Sequence, residues 1–538
     1  MKQPSRNNIL IALTYSVTLT LGMFLGYKFL RDQGYSVSSL ISFNEQSDDK
    51  RSEIINIIGR NYVDEVNPDS LKHLTIDSLL HQLDPHSTYL PPVDAFEFAE
   101  NLEGNFGGIG VQYYVLNDTL LVTGVVKDGP AYQAGLKLGD KILKIDSVVV
   151  SGKSLPKEKM TGRIRGKMGT NVSLLLKRSN QPQPILMNVM RDRVAVSSID
   201  AGYMLSQDIG YIRISKFGAN TDQEFTNYLR ELKAKGMKKL VLDLRDNEGG
   251  YLTAATGIAN QLFPENKLIV YTQGKHEPRT DYISVGGGEF ENGKLAVIIN
   301  EQTASASEII AGAVQDLERG YIIGRRSFGK GLVQEQFAFQ DGSALNLTIA
   351  RYYTPLGRSI QKSYKKIDFD TYQSEIENRY AEGEFTKSNS KQDTTSKVFL
   401  TGSGRKLYGG GGIQPDVFVK IDTIGYNRLY YNLINNRILF DYVYGVLIHR
   451  YQPQQLENAY ETFNVSESDL KDFTKFAQSR KVNVDTKQFN ASKSLIKTDL
   501  KSMLYKYYFG DKGYYKAQNV ADPMVKKAIQ SLNKAEAL

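Results

Sequence analysis

Lys294-Leu295-Ala296-Val297-Ile298-Ile299-Asn300-Glu301-Gln302-Thr303-Ala304-Ser305-Ala306-Ser307-Glu308 is an apolar run that stops at a polar turn and restarts as a helix. Lys294 to Asn300 reads as a strand, and Ala306 to Leu317 carries helical spacing. Outward from it the chain keeps alternating. Gly210 to Phe217 predicts a strand, and Thr221-Asp222-Gln223-Glu224 predicts a capping box that opens a helix through Lys235. Lys239 to Leu244 reads as a strand ending in a Gly-rich turn, followed by a helix to about Phe263, and Leu268 to Tyr271 as a further strand. Strand and helix in alternation over residues 210–360 predict an α/β core.

The chemistry gathers at two turns of that core. A Ser at a strand-to-helix turn has an exposed hydroxyl, and the N–H groups at the helix start can face a developing oxyanion. Ser is also a common N-cap, and the segment around Ser305 does not by itself separate the two uses. Gly324-Arg325-Arg326-Ser327-Phe328-Gly329-Lys330-Gly331 matches the start of a phosphate-binding loop. Gly331 stands where the Mg²⁺-binding Ser or Thr belongs, and Leu332 to Ala338 reads extended, so a nucleotide site is disfavoured. Ser and Lys together make a nucleophile and its base. A Lys base at neutral pH needs its pKa depressed by about three units, roughly 4 kcal/mol, which burial can supply.

Composition narrows the classes. The chain has 538 residues, 41% hydrophobic and 23% charged, which argues against wholesale disorder and against an array of membrane spans. Lys and Arg number 67 against 59 Asp and Glu, a mild excess of +8 with no long basic run, which argues against nucleic-acid binding. The absence of Cys excludes disulfides, a thiol nucleophile and Cys-ligated zinc. A His-based metal site or triad would have to draw on five His. No metal or organic cofactor is expected.

Residues 1–8 are expected to be a short cytoplasmic tail and 9–30 a transmembrane signal anchor. Ile9 to Tyr27 is uncharged and mostly apolar, about 28 Å long as a helix against a bilayer core of about 30 Å. It lacks the small-x-small site of a cleaved signal peptide. Lys28 and Arg31 balance Lys2 and Arg6, so orientation rests on the simplest arrangement: a single pass through a bacterial inner membrane, with the body in the periplasm or outside. Residues 44–100 read as a helical segment, with short helices from Glu53 to about Leu83 followed by the turn Leu83-Asp84-Pro85-His86-Ser87, where His86 is expected to stabilise the turn. Residues 101–192 read as a compact β-domain, with strands at Val111 to Tyr114, Leu120 to Val126, Lys141 to Ile145 and Val172 to Lys177. The α/β core spans 193–425, with 365–400 expected to be loop-rich. Residues 426–538 form a helical region without evident chemistry, a packing or oligomerisation module.

Ser305, Lys330 and Gln334, in this order and spacing, resemble the catalytic set of the carboxyl-terminal processing peptidases, or tail-specific proteases. The resemblance also rests on Thr303 to Glu308, Ser327 to Gln334, Leu83 to Ser87, and Tyr408-Gly409-Gly410-Gly411-Gly412-Ile413, and covers roughly residues 50–420. It implies a ClpP/crotonase-like peptidase core with Ser305 as nucleophile, Lys330 as general base and Gln334 orienting the Lys. The implied oxyanion hole uses the N–H of Ala306 and of Gly249 or Gly250. That family usually has Asn-Pro-Gly-Gly there; this chain has Asn247-Glu248-Gly249-Gly250, which leaves the choice of glycine open. Phe106-Gly107-Gly108-Ile109-Gly110-Val111 resembles the carboxylate-binding loop of a PDZ domain, with Gly108, Ile109, Gly110 and Val111 implied to hold a substrate tail.

The whole is therefore expected to be a multidomain α+β protein: membrane helix, PDZ-like domain, peptidase core and helical C-terminal region. Its implied function is that of a membrane-anchored serine endopeptidase acting on proteins with free, apolar C-termini. A homo-oligomer or an adaptor is left open. The alternative is a PDZ scaffold on an inactive peptidase fold; against it stands the presence of all three catalytic residue types.

Overall fold

The computed structural model describes residues 50–67, 71, 75–152, 162–364, 367, 369–387 and 397–534. The expected tail and anchor at 1–8 and 9–30 lie outside the described residues, among which no helix is long and apolar enough to cross a membrane. The chain divides between Asn56 and Ile57 into two compact units, and the elements that position the site belong to the second.

That unit includes α1 (Ile76–Leu83), whose N-cap Thr75 accepts the Ser78 N–H and which buries Leu79 and Leu80. Strand β1 (Thr88–Leu90) and helix α2 (Pro92–Glu103) follow, and α2 ends on Gly104 in the left-handed conformation that glycine tolerates best.

The β-domain begins with β2 (Asn105–Gly108), β3 (Val111–Leu116) and β4 (Thr119–Val125). Asn117 and Asp118 both take positive φ, as a two-residue hairpin between β3 and β4 requires. Next come α3 (Pro130–Gln133), β5 (Lys141–Ile145), β6 (Val148–Val149), β7 (Asn171–Lys177), β8 (Ile185–Met190) and β9 (Asp192–Ala195). The antiparallel order is β3-β4-β5-β7-β8, with β6 on β5, while β2 pairs with β9 separately. Along β7, alternation turns Val172, Leu174 and Leu176 into a core shared with Ile142 and Leu120.

The α/β core runs β10 (Ile199–Met204), β11 (Ile209–Ile214), α4 (Thr221–Ala234), β12 (Lys239–Asp243), α5 (Leu252–Leu262), β13 (Leu268–Gln273), β14 (Thr280–Ile283), β15 (Lys294–Ile299), α6 (Ala306–Asp316) and β16 (Tyr321–Gly324). It continues with β17 (Leu332–Ala338), β18 (Ala344–Tyr353), α7 (Phe369–Gln373), α8 (Glu375–Ala381), β19 (Val398–Leu400), β20 (Lys406–Tyr408) and β21 (Val417–Phe418). The central sheet has the order β10-β11-β12-β15-β16-β21, parallel except for β10 against β11. Its inner strands are buried on both faces, which explains their unbroken apolar runs. An antiparallel sheet, β1-β18-β13-β14 with β17 on β18, stands beside it.

Two expectations fail. Thr221 does not cap α4: the N-cap is Asn220, the Thr221 hydroxyl accepts the Gly218 N–H, and the Glu224 carboxylate is taken by Ser197 and Ser198. The stretch 365–400 is not simply loop, since α7 and α8 lie within it, fastened by Arg326 and Arg379 to Glu384.

The C-terminal region runs through α9 (Arg428–Asn435), α10 (Ile438–Tyr442), α11 (Glu467–Ser479), α12 (Thr486–Asn519) and α13 (Pro523–Leu532), with shorter helical pieces between α10 and α11. The long α12 is interrupted at Gly510, whose φ of 65° and ψ of −161° are non-helical.

Candidate active site

Parallel strands β12, β15 and β16 are neighbours, and the segments after their carboxyl ends carry the expected catalytic groups except Gln334, which lies in β17 of the neighbouring sheet. Gly249 and Gly250 follow β12, Ser305 follows β15, and Lys330 follows β16. The crevice at the carboxyl ends of parallel strands is where such sheets leave room for a ligand.

Ser305 is the residue before α6 and holds φ 55°, ψ −118°, a conformation a non-glycine residue keeps only when its surroundings impose it. The imposition is visible. The buried Glu308 carboxylate accepts the Ser305 N–H at 2.9 Å and, through the same Oε2, the Lys330 N–H at 2.9 Å. Its other oxygen accepts the Gly329 N–H at 2.8 Å and the Ser327 hydroxyl at 2.5 Å. Burial pushes Glu308 up to about 7 against the pull of these four donors. From another direction the Tyr352 hydroxyl reaches both the Lys330 carbonyl, at 2.7 Å, and the Ser305 carbonyl, at 3.1 Å. One carboxylate and one phenol thus hold the backbones of the two turns in register. Ser305 and Glu308 stand in the geometry of a capping box at the first turn of α6.

Lys330 Nζ donates to Gln334 Oε1 at 2.8 Å, and Gln334 Nε2 donates to the His86 carbonyl. That carbonyl is held by an Asp84 side chain that accepts the His86 N–H at 2.8 Å, the Ser87 N–H at 2.9 Å and the Ser87 hydroxyl at 2.7 Å. Burial lowers the Lys330 pKa, and the carboxylates of Asp84, Glu248 and Glu308 pull it partly back. The His86 ring contacts the Tyr372 hydroxyl at 2.8 Å, and burial with the Lys330 and Lys362 cations pushes it down to about 3, so it is neutral at physiological pH. No hydrogen bond joins Ser305 Oγ to Lys330 Nζ among the described residues, a looseness common before substrate binds.

A family model described as Peptidase family S41 matches residues 208–371, a PDZ domain model matches 107–189, and a family of unknown function matches 426–510. A carboxy-terminal-processing protease of Bartonella bacilliformis is 34% identical over 332 residues, 60% of this chain and 75% of the relative. The chain belongs to peptidase family S41. It is a serine-type peptidase with a PDZ domain, of the carboxy-terminal-processing kind. A CtpA-like serine protease of Staphylococcus aureus is 31% identical over 68% of this chain and 72% of its own length. A solved photosystem II D1 C-terminal processing protease is 28% identical, covers 59% of this chain and 90% of its own, and superposes with a TM-score of 0.35.

Within this S41 site the two candidate glycines differ. The Gly249 N–H is spent on Asn247 Oδ1 at 2.8 Å. A Cβ on Gly249 would lie 2.8 Å from Ser305 Cβ and 2.9 Å from the Ala306 nitrogen, so the bare Cα keeps the space before the Ala306 N–H open. The exposed Gly250 bridges to Phe217 through its neighbours: the Gly249 carbonyl accepts from Phe217, and Tyr251 donates to the Phe217 carbonyl. The N–H groups of Gly250 and Ala306 have no partner among the described residues.

In the PDZ domain, Ile109 and Gly110 form the link between β2 and β3. Ile109 is fully buried, its carbonyl accepts the Ala131 N–H at 2.8 Å, and the Gly110 carbonyl accepts the Val126 N–H at 2.9 Å. With both carbonyls turned inward, the N–H groups of Ile109 and Gly110 have no partner among the described residues. Gly108 closes β2 opposite Asp192, and Val111 opens β3, an edge strand of the sheet.

Glu308, Tyr352 and the His86 carbonyl are the parts sequence reasoning missed. Glu308 stands three residues after Ser305, the spacing of a capping box, and that signal was available. Tyr352 carries no local signal.

Proposed function

We propose that Ser305 and Lys330 form the catalytic pair and that the protein cleaves proteins near their free C-termini. Ser305 Oγ bonds to the scissile carbonyl carbon while its proton passes to the neutral Lys330 amine, and the carbonyl electrons move onto oxygen, facing the N–H groups of Ala306 and Gly250. The intermediate collapses to an acyl-enzyme as the amine leaves with the proton from Lys330. Water then attacks the ester, again giving its proton to Lys330, and Ser305 is restored as the acid departs. Gln334 orients the Lys330 amine. The observation that carries this reading is that Lys330 meets no carboxylate at ion-pair distance among the described residues and rests on a neutral amide, while Glu308 and Tyr352 tie its backbone to that of Ser305.

The substrate's terminal carboxylate sits on the N–H groups of Ile109 and Gly110, with Gly108 and Val111 flanking, and its preceding residues add to the β3 edge. The apolar stretch within 9–30 anchors the chain in a bacterial inner membrane, with the body on the far side. The full-length protein in detergent, as wild type and Ser305→Ala, incubated with an unstructured protein ending in small apolar residues, tests the chemistry by mass spectrometry. Wild type cuts, and the alanine form does not; equal cutting by both removes Ser305 from the mechanism. A substrate ending in an amide is cut markedly more slowly, and equal rates remove the tail site. Protection of the body from added protease after selective outer-membrane permeabilisation contradicts the placement.

A further inference from the structure

The region after residue 426 touches two domains. On the PDZ side, Tyr114 of β3 stacks on Phe440, packs against Tyr444 and donates to Asp441 Oδ1 at 2.8 Å; with Leu116 and Leu121 it joins the core of α9 to α12. On the peptidase side, Met524, Val525, Ala528 and Leu532 of α13 pack on Val241, Ala296, Ile298 and Ile323 of the central sheet. Helix α12 joins the two contacts through its break at Gly510.

At the head of α13 stands Asp522. Its Oδ1 caps the helix, accepting the N–H groups of Met524 and Val525, and its Oδ2 accepts Arg245 Nη1 at 2.6 Å. Both side chains are largely buried. Arg245 spends its remaining donors on the fully buried Asp243, which also accepts the Tyr211 hydroxyl and lies 3.2 Å from Arg213. Arg213 in turn donates to the Arg245 carbonyl and to Asp246, a left-handed residue at φ 59°. Asn247 follows, accepting the Ala304 N–H and the Ser307 hydroxyl on its carbonyl and the Gly249 N–H on its side chain. Without the Asp522 charge, Arg245 keeps only Asp243 among the described residues, a carboxylate it shares with Arg213, which also pairs with Asp246 and Asp200; the residues these arginines hold are the first of the turn that ends at Gly249 and Gly250.

We propose that Asp522 is a positioning residue of the peptidase: through Arg245 it sets the turn that presents Gly250 and keeps Gly249 clear of the Ala306 N–H. The C-terminal helical region, seated on the PDZ domain, is the support that delivers it. This rests on reading that turn as the oxyanion hole.

The test uses the full-length protein, a short internally quenched peptide with an amidated end, and hydrogen exchange over residues 245–251. Asp522→Asn keeps a good N-cap and removes the charge. Its kcat per folded enzyme falls about tenfold with KM within about twofold, and its 245–251 amides exchange faster. Asp522→Glu restores the charge and most of kcat. Asp485→Asn, which alters the cap of α12 far along the chain from Arg245, leaves kcat and that exchange unchanged. Unchanged kcat and exchange in Asp522→Asn overturn the proposal. Should Asp522→Asn not fold, Asp522→Ser is read in the same way, and loss of folding in both overturns it, because the carboxylate then serves stability alone. Failure of the wild type to cleave defeats the peptidase reading instead, and the exchange comparison then decides the coupling by itself.

Discussion

Lys330 and Lys362 both press on the ring of His86, yet they are built for different work. Burial lowers the pKa of each. Lys362 lies 3.9 Å from the centre of the Phe328 ring and 4.1 Å from that of Tyr372, and it pairs with Glu375 at 3.1 Å. Among the described residues, Lys330 is offered the Gln334 amide oxygen alone. Of the carboxylates that act on it, Asp84, Glu248 and Glu308, none meets it at ion-pair distance among the described residues, and Asp84 and Glu308 are occupied by hydrogen-bond donors of their own. Burial alone does not make a base; burial with a neutral partner does, because nothing at contact distance repays the charged form.

The comparison breaks most visibly when Lys330 is removed. Lys330→Ala should lose about 10³-fold or more in kcat, with the tail still bound at the PDZ domain, as expected when the base of a nucleophile-base pair is taken away. Lys362→Met in the same assay should stay within about threefold, since that amine is tied to a carboxylate. Steady-state cleavage alongside tail-peptide binding checks both, and a Lys362→Met loss as large as that of Lys330→Ala would reverse the assignment of roles.

How much of this was legible in the sequence follows from where each partner lies along the chain. Ser305 sits in a turn after an unmistakable apolar strand, so its place at that strand's carboxyl end was readable; Lys330 and Gln334 were legible as a motif rather than as places in the fold, and Gln334 lies in β17 of the neighbouring sheet. Glu308 was readable from its capping-box spacing, although its reach to Ser327, Gly329 and Lys330 was not. Tyr352 and the His86 carbonyl arrive from 22 and 248 residues away along the chain from their partners Lys330 and Gln334, and no local pattern announces such contacts. The choice between Gly249 and Gly250 turns on which N–H the Asn247 side chain takes, and no residue pattern states it. The capping box read at Thr221 failed for the opposite reason: the local motif was sound, but Ser197 and Ser198 claimed its Glu.

A sharper form of the comparison gives Lys330 the kind of partner Lys362 has. Gln334→Glu places a carboxylate beside the amine, which favours the ammonium form and raises its pKa by about one to three units. The acid limb of the kcat/KM profile should then move to higher pH. Activity near pH 7 falls about tenfold for every pH unit the limb moves and recovers at alkaline pH. In the wild type the sign is fixed by the lowered pKa. Activity should rise with pH as Lys330 loses its proton, and stability should rise over the window from that lowered value up to the ordinary Lys value, because the unfolded chain holds the proton longer. A pH-rate profile of Gln334→Glu that overlays the wild type would show that another group sets the limb.

The smallest effect belongs to the other lysine. Glu375→Gln removes the counter-ion of Lys362 and weakens the longer contacts of Glu375 to Arg326 and Arg379. Glu375 is partly exposed, so water compensates for part of the loss, and about 1 kcal/mol of stability is the expected cost. That cost is fully present where Lys362 is charged and shrinks as the pH rises through its lowered pKa, since the neutral amine no longer needs the carboxylate. Thermal melts of wild type and Glu375→Gln across that range should therefore draw closer at alkaline pH, down to the part carried by Arg326 and Arg379, while the acid limb of kcat/KM should not move. If Glu375→Gln moved that limb, the two lysines would titrate as one system, and the neutral amide beside Lys330 would not be what separates them.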